Sequence, residues 1–234
     1  YALFFNLIIC LATAMTILMS RSYIESNELP VGEYYALLLF AAVGMMLMAA
    51  ATDLIVIFLG LETMSMAVYV LAGIRRQNVK ANEAALKYFL LGAFASGFFL
   101  YGVALVYGAT GSVKLGEVAA YISTHFSGGQ SSLMLSAGMA LLIVGFGFKV
   151  AAAPFHVWAP DVYEGAPTTI TAFMAVGVKA AAFASFVRVF LLSFGALHGQ
   201  WEWILWVVAV VTMTVGNLTA LVQDNIKRML AYSS

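Results

Sequence analysis

The sequence predicts an all-α polytopic membrane protein, and three observations carry that prediction. Hydrophobic residues make up 63% of the chain and charged residues only 9%, against about 25% charged in a soluble domain. The apolar residues gather into runs of roughly twenty residues or more, the length a helix needs to cross a hydrocarbon core about 30 Å thick. The runs lack the two-residue alternation of a porin strand, which leaves helices to satisfy the backbone in lipid.

The first run, residues 1–20, has no basic leader and no small-residue cleavage site, so it reads as a transmembrane helix and not a signal peptide. It starts at Tyr1 already inside an apolar stretch, and the chain stops at Ser234 just after a charged turn, so the sequence reads as part of a longer protein. The next three runs cover 34–52, 54–73 and 84–108. In the last of them "GAFASG" (92–97) sets Gly92 four residues from Ser96 and Ala93 four from Gly97, spacing that lets helices approach closely. "GSVKLGEVAAYISTHF" (111–126) reads as a short interfacial helix with His125 at its surface. The fifth run, 131–158, contains Pro154, which has no N–H and clashes with the preceding turn, so it is expected to break and to free carbonyls around residue 150. Trp158, past the break, reads as an interface anchor. "APDVYEGAPTT" reads as an ordered loop with Asp161 or Thr168 near a helix start. Runs at 168–194 and 201–223 follow, and another opens near 229.

Alternating spans give an orientation. The first, third and seventh connections carry Arg21, then Arg75, Arg76 and Lys80, then Lys227 and Arg228. The opposite side has Lys114, with Arg188 snorkelling from a helix end. The positive-inside rule puts the "RRQNVK" side in the cytoplasm.

Several function classes are excluded. Lys plus Arg and Asp plus Glu number 11 each, so net charge points to no nucleic acid. A single cysteine, Cys10, allows no intramolecular disulfide and no Cys-x-x-Cys metal or cluster site. The 12 methionines form no Met-x-x-Met array with histidine and read as packing. No haem, flavin, nucleotide or metal site is visible, and "GATGSVK" lacks phosphate-loop spacing.

Four charges fall where a membrane should reject them. Glu62 and Lys179 lie near the middle of their spans, Lys87 lies closer to the cytoplasmic end of its own, and Lys149 sits just before the break. A charge at the bilayer centre costs at least about 2.5–3.5 kcal/mol. Ion pairs clamping helices would explain one lysine, since a single carboxylate cannot neutralise three. Lysines that lose a proton, near a carboxylate that takes one, would instead make a relay. Discontinuous helices often mark ion sites in transporters, and His156, two residues past Pro154, could shuttle protons there. Clamp and relay both remain open on these residues.

"GLETMSMAVYVLAG", "KYFLLGAFASGFFLYGVALVYGATG", "GFGFKVAAAPFHVWAPDVYEGAPT" and "NIKRMLAYSS" together resemble the antiporter-like membrane subunits of respiratory complex I, and the "FHVWAPDVYEGAPT" form is most similar to that of subunit N. The resemblance implies a helix bundle with inverted five-helix repeats and a proline-broken helix. Residues 1–20 would then precede a first repeat at 34–194, broken at about 131–158, and 201–234 would open a second. It implies proton translocation through Glu62, Lys87, Lys149, His156 and Lys179, coupled to quinone reduction elsewhere in a proton-pumping NADH:quinone oxidoreductase. NADH, FMN, iron–sulfur clusters and quinone would belong to partner subunits, with no cofactor or redox centre in this chain. The other membrane subunits and the lipid bilayer are the implied partners, in a bacterial or mitochondrial inner membrane. An independent cation/proton antiporter or solute transporter, or a scaffold whose charges only clamp helices, are the alternatives.

Overall fold

The structure, a computed structural model, describes residues 1–126 and 131–234. Its helices are α1 (Ala2–Ser26), α2 (Val31–Ala50), α3 (Leu54–Ala72), α4 (Val79–Thr110), α5 (Leu115–His125), α6 (Leu133–Val150), α7 (Ala159–Gly165), α8 (Thr168–Phe173), α9 (Lys179–Arg188), α10 (His198–Leu221) and α11 (Ile226–Ser233). A π-helical turn at Met174–Val178 joins α8 to α9, and another at Val189–Ser193 extends α9, making one span Thr168–Ser193. Among the described residues seven helical stretches are long and apolar enough to cross a membrane, and the chain is a multi-pass integral membrane protein.

Short polar residues start α3, α4 and α6. Asp53 Oδ1 accepts from the Ile55 amide at 2.8 Å at the head of α3, Asn78 from Ala81 at 3.1 Å before α4, and Ser132 from Leu135 at 3.2 Å before α6. Each satisfies a donor that the first helical turn leaves open. Gly111, at φ 76°, ends α4 in the left-handed conformation that glycine takes without strain.

Packing rests on backbone contact, as expected where lipid removes the hydrophobic drive between helices. A Cβ on Gly44 of α2 would lie 2.5 Å from the Met64 nitrogen of α3, and one on Gly60 would lie 2.8 Å from the Gly44 carbonyl. Gly102 of α4 and Gly138 of α6 meet in the same way. Of the two small-residue pairs in "GAFASG", Gly92 and Ser96 are buried against α3, whereas Ala93 and Gly97 face outward. Only one of the two therefore makes a helix contact, because residues one position apart point to different faces. Hydroxyls add polar ties: Ser20 of α1 bonds Tyr34 of α2 at 2.8 Å, and Tyr34 bonds Thr169 of α8 at 2.7 Å.

The connections sort onto two faces. On one, Arg76 pairs with Glu33 at 3.7 Å, Arg75 donates to the Gly165 carbonyl at 3.2 Å, and Lys227 donates to Ala166 at 3.2 Å. On the other, the α2–α3 and α4–α5 connections exchange backbone bonds, Leu54 N–H to Val113 and Leu115 N–H to Thr52, both at 2.9 Å. Arg188 donates to the carbonyls of Ala50 and Ala51 at 2.8 and 3.0 Å, and so caps the C-terminus of α2, where a cation is favoured.

Candidate functional site

The site is built around the end of α6. This helix stops at Val150, ahead of Pro154. Ala151 takes the left-handed conformation, φ 58° and ψ 40°. Its N–H reaches the Phe148 carbonyl at 3.1 Å, and the Ala152 N–H reaches Gly147 at 2.9 Å. This is the paired cap of a Schellman ending. Pro154 thus lies beyond the stop and prevents continuation. The Phe148 carbonyl accepts a second bond, from the Trp158 indole N–H at 3.0 Å. Trp158 is correspondingly buried and stacks on Tyr88, centroids 4.4 Å apart, so it is a core residue and not an interface anchor. A buried indole N–H needs an acceptor, and the end of α6 supplies one.

Lys149, in the last turn of α6, is 1% exposed. Its ammonium donates to Ser65 Oγ at 2.6 Å and to the Tyr69 hydroxyl at 3.2 Å. The rings of Tyr69, Tyr88 and Phe148 lie 5.3–5.8 Å from Nζ, within cation–π range. Glu62, Ser65 and Tyr69 share one face of α3 because their spacing of three and four residues follows the helical repeat. Glu62 itself accepts from Ser96 of α4. Among the described residues it makes no ion pair with a lysine, so the carboxylate and Lys149 stand a helical turn apart with Ser65 between them.

Beyond the break lies a cavity of about 150 Å³. Residues 150–153 form one wall, and His156, Lys179, Tyr232 and Ser234 supply its polar lining. Lys179 is 7% exposed, donates to Ser234 Oγ at 2.8 Å and lies 5.9 Å from the Tyr163 ring. His156 Nδ1 is buried with no hydrogen-bond partner. A buried polar atom of that kind, beside a void that a few other polar groups also line, is a setting in which water is held.

Lys87 stands elsewhere. It pairs with Glu83 at 2.6 Å and with Asp161 of α7 at 2.7 Å, with its side chain 42% exposed. Asp161 also meets Arg228 of α11 at 2.7 Å, and Glu164 meets Lys80 at 2.8 Å and Arg228 at 3.1 Å. Hydrogen bonds from Lys80 and Arg228 hold the Glu164 carboxyl below its usual range. This network clamps α7 between α4 and α11. The structure thus brings His156 and Lys179 to one cavity beyond the break, sets the Lys149 ammonium against α3 and α4 with Glu62 one helical turn from its Ser65 partner, and places Lys87 in the clamp. Among the described residues no three His, Cys, Asp or Glu side chains converge as a metal site requires. The aromatic surround of Lys149 and the hydroxyl partners Ser65, Ser96 and Ser234 are additions that charge-spotting misses. The helical spacing from Glu62 to Ser65 and Tyr69 was the signal available.

Comparison with known proteins gives a consistent set of likenesses. The family model described as NADH:quinone oxidoreductase/Mrp antiporter, TM, matches residues 51–234. An NADH-quinone oxidoreductase subunit N from Trichlorobacter lovleyi is 57% identical over 234 residues, 100% of this chain and 48% of that relative. A chain of respiratory complex I from Thermus thermophilus with bound aureothin has TM-score 0.78 at 43% identity, covering 98% of this chain and 47% of that one. A chain of the membrane-bound sulfane sulfur reductase, an archaeal respiratory membrane complex, has TM-score 0.87 at 31% identity, covering 100% and 46%. The chain spans about half the length of these relatives.

Proposed function

The chain belongs to the NADH:quinone oxidoreductase/Mrp antiporter transmembrane family, and from that premise we propose that it is part of a proton-translocating membrane subunit of an NADH:quinone oxidoreductase in a bacterial inner membrane. Other membrane subunits of the complex are its partners, and quinone reduction elsewhere drives it. The single observation that carries the reading is Lys149: a buried ammonium that meets two hydroxyls and three aromatic rings but, among the described residues, forms no ion pair with a carboxylate, at a helix end whose next residue begins the wall of the cavity lined by His156 and Lys179. A structural clamp would pair that charge, because an unpaired buried charge is costly.

In the proposed relay Lys149 holds its proton while the Glu62 side chain stays one turn away along α3, held by Ser96. When that hold weakens, the ammonium gives a proton to water admitted past the end of α6 and becomes an amine, and that water connects to the cavity whose wall starts at Val150. The water hands a proton to a neutral Lys179, with His156 Nδ1, free of protein partners, available to accept and return it. Each transfer leaves one site neutral and the next charged, so no net charge accumulates at mid-membrane. Lys87, engaged by Glu83 and Asp161, stands toward the cytoplasmic end of the route.

Lys179→Arg tests this in the full-length subunit within the intact complex. Arginine keeps the charge and the bond to Ser234 but does not deprotonate in proteins. The expected result is a lower proton-to-electron ratio in sealed vesicles for both Lys179→Arg and Lys179→Ala. A normal ratio for arginine beside a defective alanine would make the charge a clamp and overturn the relay.

A further inference from the structure

Ending α6 at Val150 leaves an amide inside the bundle with no helical partner, that of Ala153. It donates to Thr212 Oγ1 on α10 at 2.9 Å. The hydroxyl in turn donates to the Val208 carbonyl at 2.6 Å, so both its donor and one acceptor site are committed and its rotamer is fixed. This bond joins two elements that otherwise have little to hold them. Trp201 is the buried residue of α10, three turns away, and the membrane window of α10 has no buried residue.

Thr212 also stands at a boundary. On one side is the cavity lined by His156 and Lys179. On the other is a wholly apolar groove between α9 and α10, about 470 Å³, lined by residues such as Phe186, Phe190, Leu205 and Val208. Val150, Ala152, Phe183 and Thr212 line both, so they are the partition between them. Two of the four, Val150 and Ala152, belong to the broken segment, and the amide that Thr212 holds is the next one along.

We infer that Thr212 is a positioning residue for proton transfer: its hydroxyl holds the turn at Ala151–Ala153 against α10 and thereby keeps the His156–Lys179 cavity closed off from the apolar groove. This rests on the relay reading. A threonine suits the task because its oxygen accepts the orphan amide while its methyl presents an apolar surface to the groove. Without the acceptor, the Ala153 N–H would seek water, and the partition would loosen where the cavity must keep its water in line.

The test uses the full-length subunit in the intact complex. Thr212→Val keeps the shape and removes the acceptor, and Thr212→Ser keeps the acceptor and removes the methyl. Two quantities are read: hydrogen exchange of the peptide covering residues 150–158, and the proton-to-electron ratio in sealed vesicles, with Lys179→Ala measured beside them. The expected result for valine is faster exchange at this peptide by about fivefold or more, as loss of one hydrogen bond gives, together with a lowered ratio. Serine should restore both. Unchanged exchange in valine would overturn the proposal, as would faster exchange with an unchanged ratio, or a serine variant as defective as valine. Thr212→Cys, close in size to serine but a weak acceptor, serves if valine does not assemble, and should behave as valine does. A normal ratio in Lys179→Ala would instead defeat the relay reading itself, so the two failures are told apart.

Discussion

Gly92 is the tightest point in the surroundings of Lys149, and Gly92→Ala converts that tightness into a measurement. A Cβ there would lie 1.9 Å from the Tyr69 hydroxyl and 2.6 Å from its Cζ. Ordinary contact begins at 3.4 Å, so the phenol must retreat by about 1.5 Å, the difference between 3.4 and 1.9. The Lys149–Tyr69 bond, already 3.2 Å long, does not survive a shift of that size. Overpacking of this kind costs about 1–3 kcal/mol, and losing a hydrogen bond to a charged group about 1.5–3 kcal/mol. The two overlap, because one movement causes both. Unfolding of such a complex is not two-state, so the assay is the rate of thermal inactivation of the purified complex. One to three kcal/mol on the native state corresponds to an acceleration of roughly 5- to 150-fold. Tyr69→Phe removes the oxygen that the new methyl strikes, so Gly92→Ala should cost less in that background, with a coupling of about 0.5–3 kcal/mol. Strict additivity of the two changes, or a Gly92→Ala complex as durable as wild type, would refute the reasoning.

Other consequences follow from the same geometry. Ala151 holds a left-handed conformation that costs an L-residue about 1–2 kcal/mol. Ala151→Gly should therefore lengthen the half-life to thermal inactivation severalfold, while Ala151→Val should shorten it. The depressed Glu164 carboxyl contributes stability at pH values above the ordinary glutamate range, and that contribution disappears as pH falls through its lowered value. Hydrogen exchange of residues 159–166, corrected for intrinsic rate, should stay constant from neutral pH down to about pH 5 and accelerate below the ordinary range near 4.3. Glu164→Gln should show the faster exchange already at neutral pH.

The spans and their alternation were legible because lipid imposes a single rule on every residue in a run, and composition alone reveals it. The importance of Lys149 and Lys179 was legible for the same reason: a charge in an apolar run announces itself. The fate of Trp158 was not, since an indole N–H serves equally at a headgroup or against a buried carbonyl, and the choice depends on where α6 stops. That stop was attributed to Pro154, whose chemistry is unambiguous, whereas an alanine in a left-handed cap carries no signal in its residue type. Asp161 and Glu164 lie in "APDVYEGAPTT", which by its residues alone reads as an ordered loop. Their partners Lys80, Lys87 and Arg228 lie far off in sequence, and helix packing alone assembles them. The Gly44–Gly60 crossing shows the same limit: each glycine is unremarkable until the other helix is placed against it.

The two ends of the bundle are fastened by different chemistry. One end is closed by main-chain bonds between Leu54 and Val113 and between Leu115 and Thr52, with the Arg188 cap beside them. The other is closed by the ion pairs of Lys80, Lys87, Arg228, Asp161 and Glu164, all with side chains partly open to solvent. Backbone bonds respond little to dissolved ions, whereas half-exposed charges are screened within about 8 Å at physiological ionic strength and about 3 Å at 1 M. Raising the salt concentration therefore acts on this molecule as a one-sided solvent, slackening the end that grips α7 while leaving its counterpart taut, so that the bundle has a built-in fixed end and a tunable one.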